Sequence, residues 1–351
     1  MKKPIFLPDS MEKSFTKPLK SVLTVVISLA FAGFFLWLAL RGLDFKVIQK
    51  SLAKANYLWV LFAACFGIAA YWLRAIRWNL LLEPMGHTIS NSNSLWSISF
   101  GYLMNLTIPR SGEVARATAL YGVEKVPVDQ SFGTIILERV VDLMCMLGFL
   151  GLTFIFKYDA ILSFYHQSGI KVDPNKIIIG IVILAAGIGL FFAFRKKLAK
   201  VPVLDKIINF INGIFQGLTS IFRLKQKGKF ILYTVGIWIS YYLAAYLVCF
   251  ALPETSDFTI ADGFFIIVVG TLGMIVPASG GIGAFNLAMK YGFMALFIAM
   301  GRSAEWGGEM GLTYSFISLP LQITIMLVMG LISIPMLAKA RNSRVSEEAR
   351  G

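Results

Sequence analysis

The sequence predicts an all-α polytopic membrane protein, and three observations lead there. Hydrophobic residues make up 57% of the 351 positions, charged residues only 15%, and the mean hydropathy is +0.72; a soluble domain carries about 25% charged residues. The apolar residues come in runs near the roughly 20 needed to cross a bilayer as a helix. Two further apolar stretches are interrupted midway by proline and glycine, as in helices that break inside a membrane. Together these predict about six full spans plus two broken, re-entrant helical hairpins that enter from opposite faces as an inverted repeat.

The net charge of +14 raises nucleic acid as a partner, but its placement argues against that class. Basic residues sit between the apolar runs, where the positive-inside rule puts them and where they attract anionic headgroups. No zinc-finger spacing, RNP-like motif or Gly-rich P-loop is present. Cys65, Cys145 and Cys249 lie within apolar runs without metal or redox spacing and read as buried small hydrophobes. His87 and His166 are too far apart in sequence to suggest a shared site. No cofactor is expected.

Residues 1–20 are polar and basic and form a cytoplasmic N-terminus. The run 21–40 is too long for a signal-peptide core and has no small-residue cleavage site after it, so it reads as a retained first span. In 45–55, Phe45, Ile48 and Leu52 fall at i, i+3 and i+7 opposite Lys46, Lys50 and Lys54. This spacing predicts a short amphipathic helix on the membrane surface. The second span runs over 57–73, and Arg74, Arg77 and Trp78 read as its interfacial ending. Further spans are expected at 131–156, 176–194, 230–252 and 311–337. The segment 195–229 carries nine basic residues against Asp205 alone, which assigns it to the cytoplasm together with the tail 339–351. The transmembrane domain therefore covers 21–338, with halves at about 57–194 and 230–338. Residues 157–175 then face the exterior of a cytoplasmic (inner) membrane, and both termini lie inside. The basic stretch 41–54 falls outside in this scheme, against the charge bias.

The broken stretches are 94–121 and 260–300. Proline, serine and glycine recur in them 168 positions apart, as Pro109, Ser111 and Gly112, then Pro277, Ser279 and Gly280. Pro109 removes a backbone donor, and Ser111 is placed to cap the helix that follows. Amides freed at such a half-helix start favour an anion. Arg110 and Arg116 add cations, and Glu113 lies three residues before Arg116 on the same face. A charged cytoplasmic loop is the alternative. The second cluster is uncharged; Gly280, Gly281 and Gly283 permit close backbone approach, and a small-residue helix contact is the alternative.

Glu138, Arg139 and Asp142 lie near the start of a span, with Glu138 and Asp142 four apart on one face. Left unpaired at the bilayer centre, three such charges would cost roughly 9 kcal/mol. They must pair, face water, or snorkel from the roughly 10 Å depth that a helix start at Ser131 implies.

These motifs resemble the lysylphosphatidylglycerol synthase transmembrane (flippase-like) family. The resemblance rests on Asn105 through Glu113 with Arg116, on Glu138 through Asp142, on Pro277 through Gly283, and on Arg74 through Trp78, and it covers about residues 20–340. It implies a lipid-translocating membrane domain. The family's founding members carry an aminoacyltransferase domain after the membrane part; this sequence is expected to be the membrane domain without it. Asn286 stands where many relatives have an acidic residue. The expected function is movement of a phosphate-bearing lipid, an anionic phospholipid or a lipid-linked glycan, with its headgroup between the two broken helices. Arg77, Asn105, Pro109, Arg110, Ser111, Gly112, Glu113, Arg116, Glu138, Arg139, Asp142, Pro277, Ser279, Gly280, Gly281, Gly283 and Asn286 are the candidate binding residues. The rival readings are an accessory subunit of envelope glycolipid or polysaccharide synthesis and an intramembrane headgroup enzyme. No catalytic or metal-ligand constellation supports the enzyme. A second copy of the chain or an envelope-biosynthesis partner is the protein company expected.

Overall fold

A computed structural model describes residues 45–108, 110–168, 219–276 and 281–348 of the chain. The described residues form helices α1 (Phe45–Lys54), α2 (Tyr57–Leu82), α3 (Asn91–Thr107), α4 (Gly112–Glu124), α5 (Val128–Phe156), α6 (Tyr158–Ser168), α7 (Lys227–Cys249), α8 (Ile260–Ile275), α9 (Ala284–Ala299) and α10 (Ala304–Glu348). Four regions are long and apolar enough to cross a membrane, those of α2, α5, α7 and α10. Two further spans expected at 21–40 and 176–194 lie outside the described residues, as do Pro109, Pro277, Ser279 and Gly280.

The helix bounds follow local chemistry. Asn56 caps α2, its side chain accepting from the Leu58 amide at 3.1 Å. Thr259 and Asp262 form a reciprocal capping box at the start of α8, with Asp262 Oδ2 accepting from the Thr259 amide at 2.8 Å. Helix α10 carries Pro320 and Pro335 in its interior, which apolar packing tolerates where a solvated helix would break. Helix α1 is amphipathic as expected. Its apolar face, however, packs on protein: Ile48 is buried beside Leu312, Leu287 and Phe316. The described part of α1 is thus docked on α9 and α10.

Helices α3 and α4 form one antiparallel hairpin and α8 and α9 another. In the first, Asn93 donates to Glu124 Oε1 at 2.7 Å at the open end, while Gly101 meets Gly112 near the tip. In the second, Gly292 faces Val269 and Gly273 faces residues 284–288. The hairpins start from opposite ends of the bundle. The lower end holds the open end of α3/α4 together with Glu83, whose carboxylate accepts from Gln226 Nε2 at 3.4 Å, and Arg344, which donates to the Val123 carbonyl at 3.1 Å. The upper end holds the open end of α8/α9, where the Asn56 amide donates to the Ala251 carbonyl at 2.8 Å and Lys157 pairs with Asp262 at 2.7 Å. Arg302 also pairs there with Asp257, and its hydrogen bond holds the Asp257 carboxyl below the usual range. The tips meet between the ends, where Arg110 Nη2 donates to the Ile275 carbonyl at 2.9 Å. With 17 and 13 residues, α3 and α4 reach about 25 and 20 Å at 1.5 Å per residue, short of a roughly 30 Å hydrocarbon core.

Each hairpin has its own core. Phe265, Ile266 and Val269 of α8 and Met289, Phe293 and Phe297 of α9 pack with Tyr246 of α7 and Tyr314 of α10. Ile98 of α3 and Ala117, Leu120 and Val123 of α4 pack with Tyr71, Ala75 and Trp78 of α2 and Ile135 of α5. Among the cysteines, Cys249 is buried as expected, but Cys65 sits on the outer surface of α2, where lipid can replace a protein core.

The glycines at the tight approaches predict an outcome. A Cβ on Gly112 would run into the Gly101 carbonyl and the Asn105 side chain, and one on Gly311 into the Met289 carbonyl, whereas Gly122 faces open space. Gly112→Ala and Gly311→Ala should each lower the thermal unfolding midpoint in detergent, at a cost of about 1–3 kcal/mol as for other overpacked sites. Gly122→Ala should be neutral or stabilising by up to ~1 kcal/mol. Equal midpoints for all three would contradict the close hairpin packing.

Candidate functional site

The most concentrated chemistry lies where α2, α4, α5 and α7 meet. Arg74 and Arg77 project from one face of α2, three residues apart. Arg77 is fully enclosed; its Nη2 lies 3.0 Å from Asp142 Oδ1 and 3.5 Å from Glu138 Oε1, and its Nη1 donates to Thr234 Oγ1 of α7 at 3.4 Å. Arg74 donates to the Tyr241 hydroxyl of α7 at 2.9 Å and lies 3.7 Å from Asp142 Oδ2. Arg116 of α4 pairs with Glu138 Oε2 at 2.6 Å, and its guanidinium stacks 3.6 Å over the Trp78 ring. Trp78 is oriented in turn by donating to Thr134 Oγ1 at 2.8 Å. One helical turn along α5 thus supplies both carboxylates, four residues apart, to guanidiniums from two other helices.

Three buried guanidiniums face two carboxylates in this cluster, so one positive charge is left over. The Nε atoms of Arg74, Arg77 and Arg116 and the Nη2 of Arg116 are buried without a hydrogen-bond partner in the protein. A charge stranded at bilayer depth costs about 2.5–3.5 kcal/mol, and an unsatisfied donor adds to that. Such an arrangement is suited to accepting an anion. Beside it opens a small cleft of about 20 Å³, open to one side and lined by Arg74, Arg116, Arg139, Asn105, Tyr102 and Glu113, with Ile98, Gly101 and Gly112 completing the wall.

The structure brings Arg77, Asn105, Gly112, Glu113, Arg116, Glu138, Arg139 and Asp142 into one neighbourhood, with several pairings other than those expected. Glu113 pairs with Arg139 at 3.0 Å, not with Arg116, because Arg116 turns inward to Glu138. Ser111 does not cap α4: its hydroxyl donates to the Met104 and Ile108 carbonyls. Asn105 Oδ1 instead accepts from the Gly112 amide at 2.7 Å, so that amide is not free for an anion. Arg110 adopts a left-handed backbone (φ 62°), at a cost of roughly 1–2 kcal/mol. It is exposed at the tip, bonded to Ile275 rather than lining the cleft. Glu138 does not snorkel: α5 begins at Val128 and the carboxylate is completely enclosed. Nor do Arg74, Arg77 and Trp78 end a span at an interface; α2 continues to Leu82 and buries all three.

The second cluster lies elsewhere. Gly281 and Gly283 have positive φ and so require glycine. Asn286 is buried, accepting from the Gly283 amide at 3.0 Å and donating to Ser315 Oγ at 2.7 Å. None of the three lines the charged cleft, which among the described residues is built from α2 to α5 alone. Gly281, Gly283 and Asn286 therefore lie apart from the charged cleft, while Pro277, Ser279 and Gly280 are outside the described residues. The sequence reading missed Arg74, Tyr102, Thr234 and Tyr241; the spacing of Arg74 and Arg77 on one face of a helix that stays apolar to Leu82 was the available signal. Among the described residues no group of three His, Cys, Asp or Glu could hold a metal ion.

Burial separates the ion pairs energetically. Removing one partner of a buried pair costs about 3–5 kcal/mol, so Arg77→Ala should sharply lower the unfolding midpoint. Arg139, with 48% of its side chain exposed, should lose no more than about 1 kcal/mol on Arg139→Ala. Equal destabilisation in a thermal-shift comparison would contradict the enclosed network.

Glycosyltransferase AglD of Haloferax volcanii is 23% identical over 304 residues, 78% of this chain and 49% of that protein. A UPF0104 membrane protein of Methanocaldococcus jannaschii is 28% identical over 129 residues, 36% of this chain and 38% of that protein. The chain thus spans about half the length, or less, of these curated relatives. No solved structure matches. Residues 25–325 match the family described as lysylphosphatidylglycerol synthase TM region, and with most of its length inside that match the chain is a multi-pass membrane protein belonging to this family.

Proposed function

We propose that the protein moves a phosphate-bearing lipid between membrane leaflets, with the headgroup phosphate held at Arg116 and Arg74 in the cleft of the first hairpin. The observation that carries this reading is the surplus guanidinium charge beside an open cleft, with donors of Arg74 and Arg116 unused. Bidentate guanidinium geometry suits a phosphate better than an ammonium does. In this reading the two hairpins are re-entrant, an inverted repeat whose tips meet near the bilayer midplane, and the Arg110–Ile275 contact lies across the path between leaflets. The residues supply binding and a change of access rather than bond chemistry. No nucleotide motif is present in the sequence, so movement is passive, ion-coupled or driven by a partner.

The name of the Haloferax relative, a glycosyltransferase, favours a second reading. There the lipid carries a glycan, and this chain assists the enzyme that builds or transfers it. Both readings require the same phosphate seat, and a transport assay separates them.

In liposomes holding a fluorescent phospholipid, the purified protein should make the inner-leaflet label accessible to a membrane-impermeant quencher. Arg116→Lys keeps a partner for Glu138 while losing the planar fork. It should slow transport by about one to two decades, the worth of a charge-assisted contact of about 1.5–3 kcal/mol. Unchanged transport in Arg116→Lys and Arg74→Lys would refute the phosphate seat; absent transport in the unaltered protein would favour the accessory reading.

Orientation follows from charge. Lys225, Lys227 and Lys229 lie at the lower end, which we assign to the cytoplasm of an inner membrane, with both termini there. A single cysteine at Ser303 should react with an impermeant thiol reagent in intact cells and one at Lys125 should not, in a Cys65-, Cys145- and Cys249-free background. The reverse pattern would invert the topology.

A further inference from the structure

The cleft has a side as well as a floor. Its rim is the Glu113–Arg139 ion pair, the outermost charged contact between α4 and α5, with 28% and 48% of the two side chains exposed. Helix α4 packs more extensively on α3 than on α5, so the α4–α5 seam is the less tightly packed of these two flanks. The surface around the rim is apolar. Val114 follows Glu113 and is 54% exposed, Leu143 is 53% exposed and Leu147 is 54% exposed. Leu143 and Leu147 lie one and two turns beyond Arg139 on the same face of α5. A charged rim bordered by exposed leucine and valine differs from a water-filled vestibule, whose outer wall would be polar.

We infer that the cleft is reached sideways from the bilayer through the α4–α5 seam, latched by Glu113 and Arg139, by a phosphodiester lipid whose net charge is a single negative one. The inference rests on the lipid-handling reading of the same site and adds the route and the charge class.

The charge class follows from the local balance. The Glu113–Arg139 pair is neutral, and the inner cluster has three guanidiniums for two carboxylates. One negative charge completes it; a phosphomonoester with nearly two would exceed it, and a headgroup of zero net charge would leave it short. The route follows from depth. Arg139 is 11 residues into a 29-residue helix, so about 16 Å along a length of about 43 Å at 1.5 Å per residue. If the helix is centred on a core roughly 30 Å thick, Arg139 lies about 10 Å inside the lower boundary. A lower-leaflet lipid drawn in to that depth has its chains pointing toward the upper end, along Leu143 and Leu147. The latch carries opposite charges that can part without stranding either, since both remain partly exposed.

The test uses the full-length purified protein in micelles, with phosphatidylglycerol as the singly charged phosphodiester lipid and thermal stabilisation as the binding readout. Phosphatidylcholine and free glycerol 3-phosphate are the comparison ligands. Phosphatidylglycerol should bind at least about tenfold more tightly than either. Equal binding of phosphatidylcholine would overturn the charge class, and equal binding of glycerol 3-phosphate would overturn access by a lipid. For the route, Glu113→Cys with Arg139→Cys in the cysteine-free background is bridged by a bifunctional thiol reagent. Bridged before lipid is added, the protein should not take up phosphatidylglycerol; bridged afterwards, it should retain it, and reduction should restore exchange. Uptake that is the same in either order overturns the portal. Glu113→Gln combined with Arg139→Gln, which removes the latch without changing the charge balance and leaves Arg116 in place, should take up lipid several-fold faster, and uptake at the unaltered rate overturns the latch. These binding outcomes do not depend on transport. A protein that binds as described but moves no lipid would refute the translocation reading and leave the portal standing.

Discussion

Five charged side chains inside an apolar bundle set the terms for the rest of the structure. Arg74, Arg77, Arg116, Glu138 and Asp142 come from α2, α4 and α5, and Tyr241 and Thr234 of α7 serve as neutral acceptors. Outside water, a guanidinium without a counter-charge is too costly to keep at depth. The four helices must therefore arrive together, with α5 rotated so that both carboxylates face inward and Leu143 and Leu147 face out. The cluster does not quite neutralise itself, and the proposed phosphate seat rests on that surplus charge.

The first hairpin is placed by the same cluster. Helix α4 is too short to be anchored by spanning, and it is held by Arg116, which joins Glu138 and stacks on Trp78. Gly101 and Gly112 let the two arms approach closely enough for Arg116 to reach, and Asn105 closes the break by accepting from the Gly112 amide. The second hairpin, lacking such charges, is held by aromatic and aliphatic packing around Phe265, Phe293 and Tyr314, with Asn286 bonding the break to α10 through Ser315. Among the described residues the two hairpins thus rest on different physics, and the surplus positive charge lies beside the first.

The contact between the tips is one of several between the two halves, which also pack through α2 on α7 and α3 on α10. Arg110 spends backbone strain to reach the Ile275 carbonyl, and an exposed guanidinium bonded to a neutral carbonyl is readily released.

The sequence by itself determined the helical membrane class, the two interrupted segments and most of the charged candidates. These depend on quantities local to the chain: the length of an apolar run, a proline beside a glycine, a carboxylate four residues from another. The opposed approach of the hairpins was also legible, since alternating crossings and the basic segment 195–229 constrain the order of faces. Partner choice was not legible. Glu113 stands three residues from Arg116 and yet binds Arg139, and Glu138 stands beside Arg139 and yet binds Arg116 and Arg77. Spacing says which residues share a helical face but not which neighbouring helix that face will meet. Arg74 and Arg77 looked like the end of a span because arginine is usually expelled from lipid. Only tertiary structure decided that carboxylates from α5 and acceptors from α7 would be waiting for them inside, which reverses the sign of the burial cost.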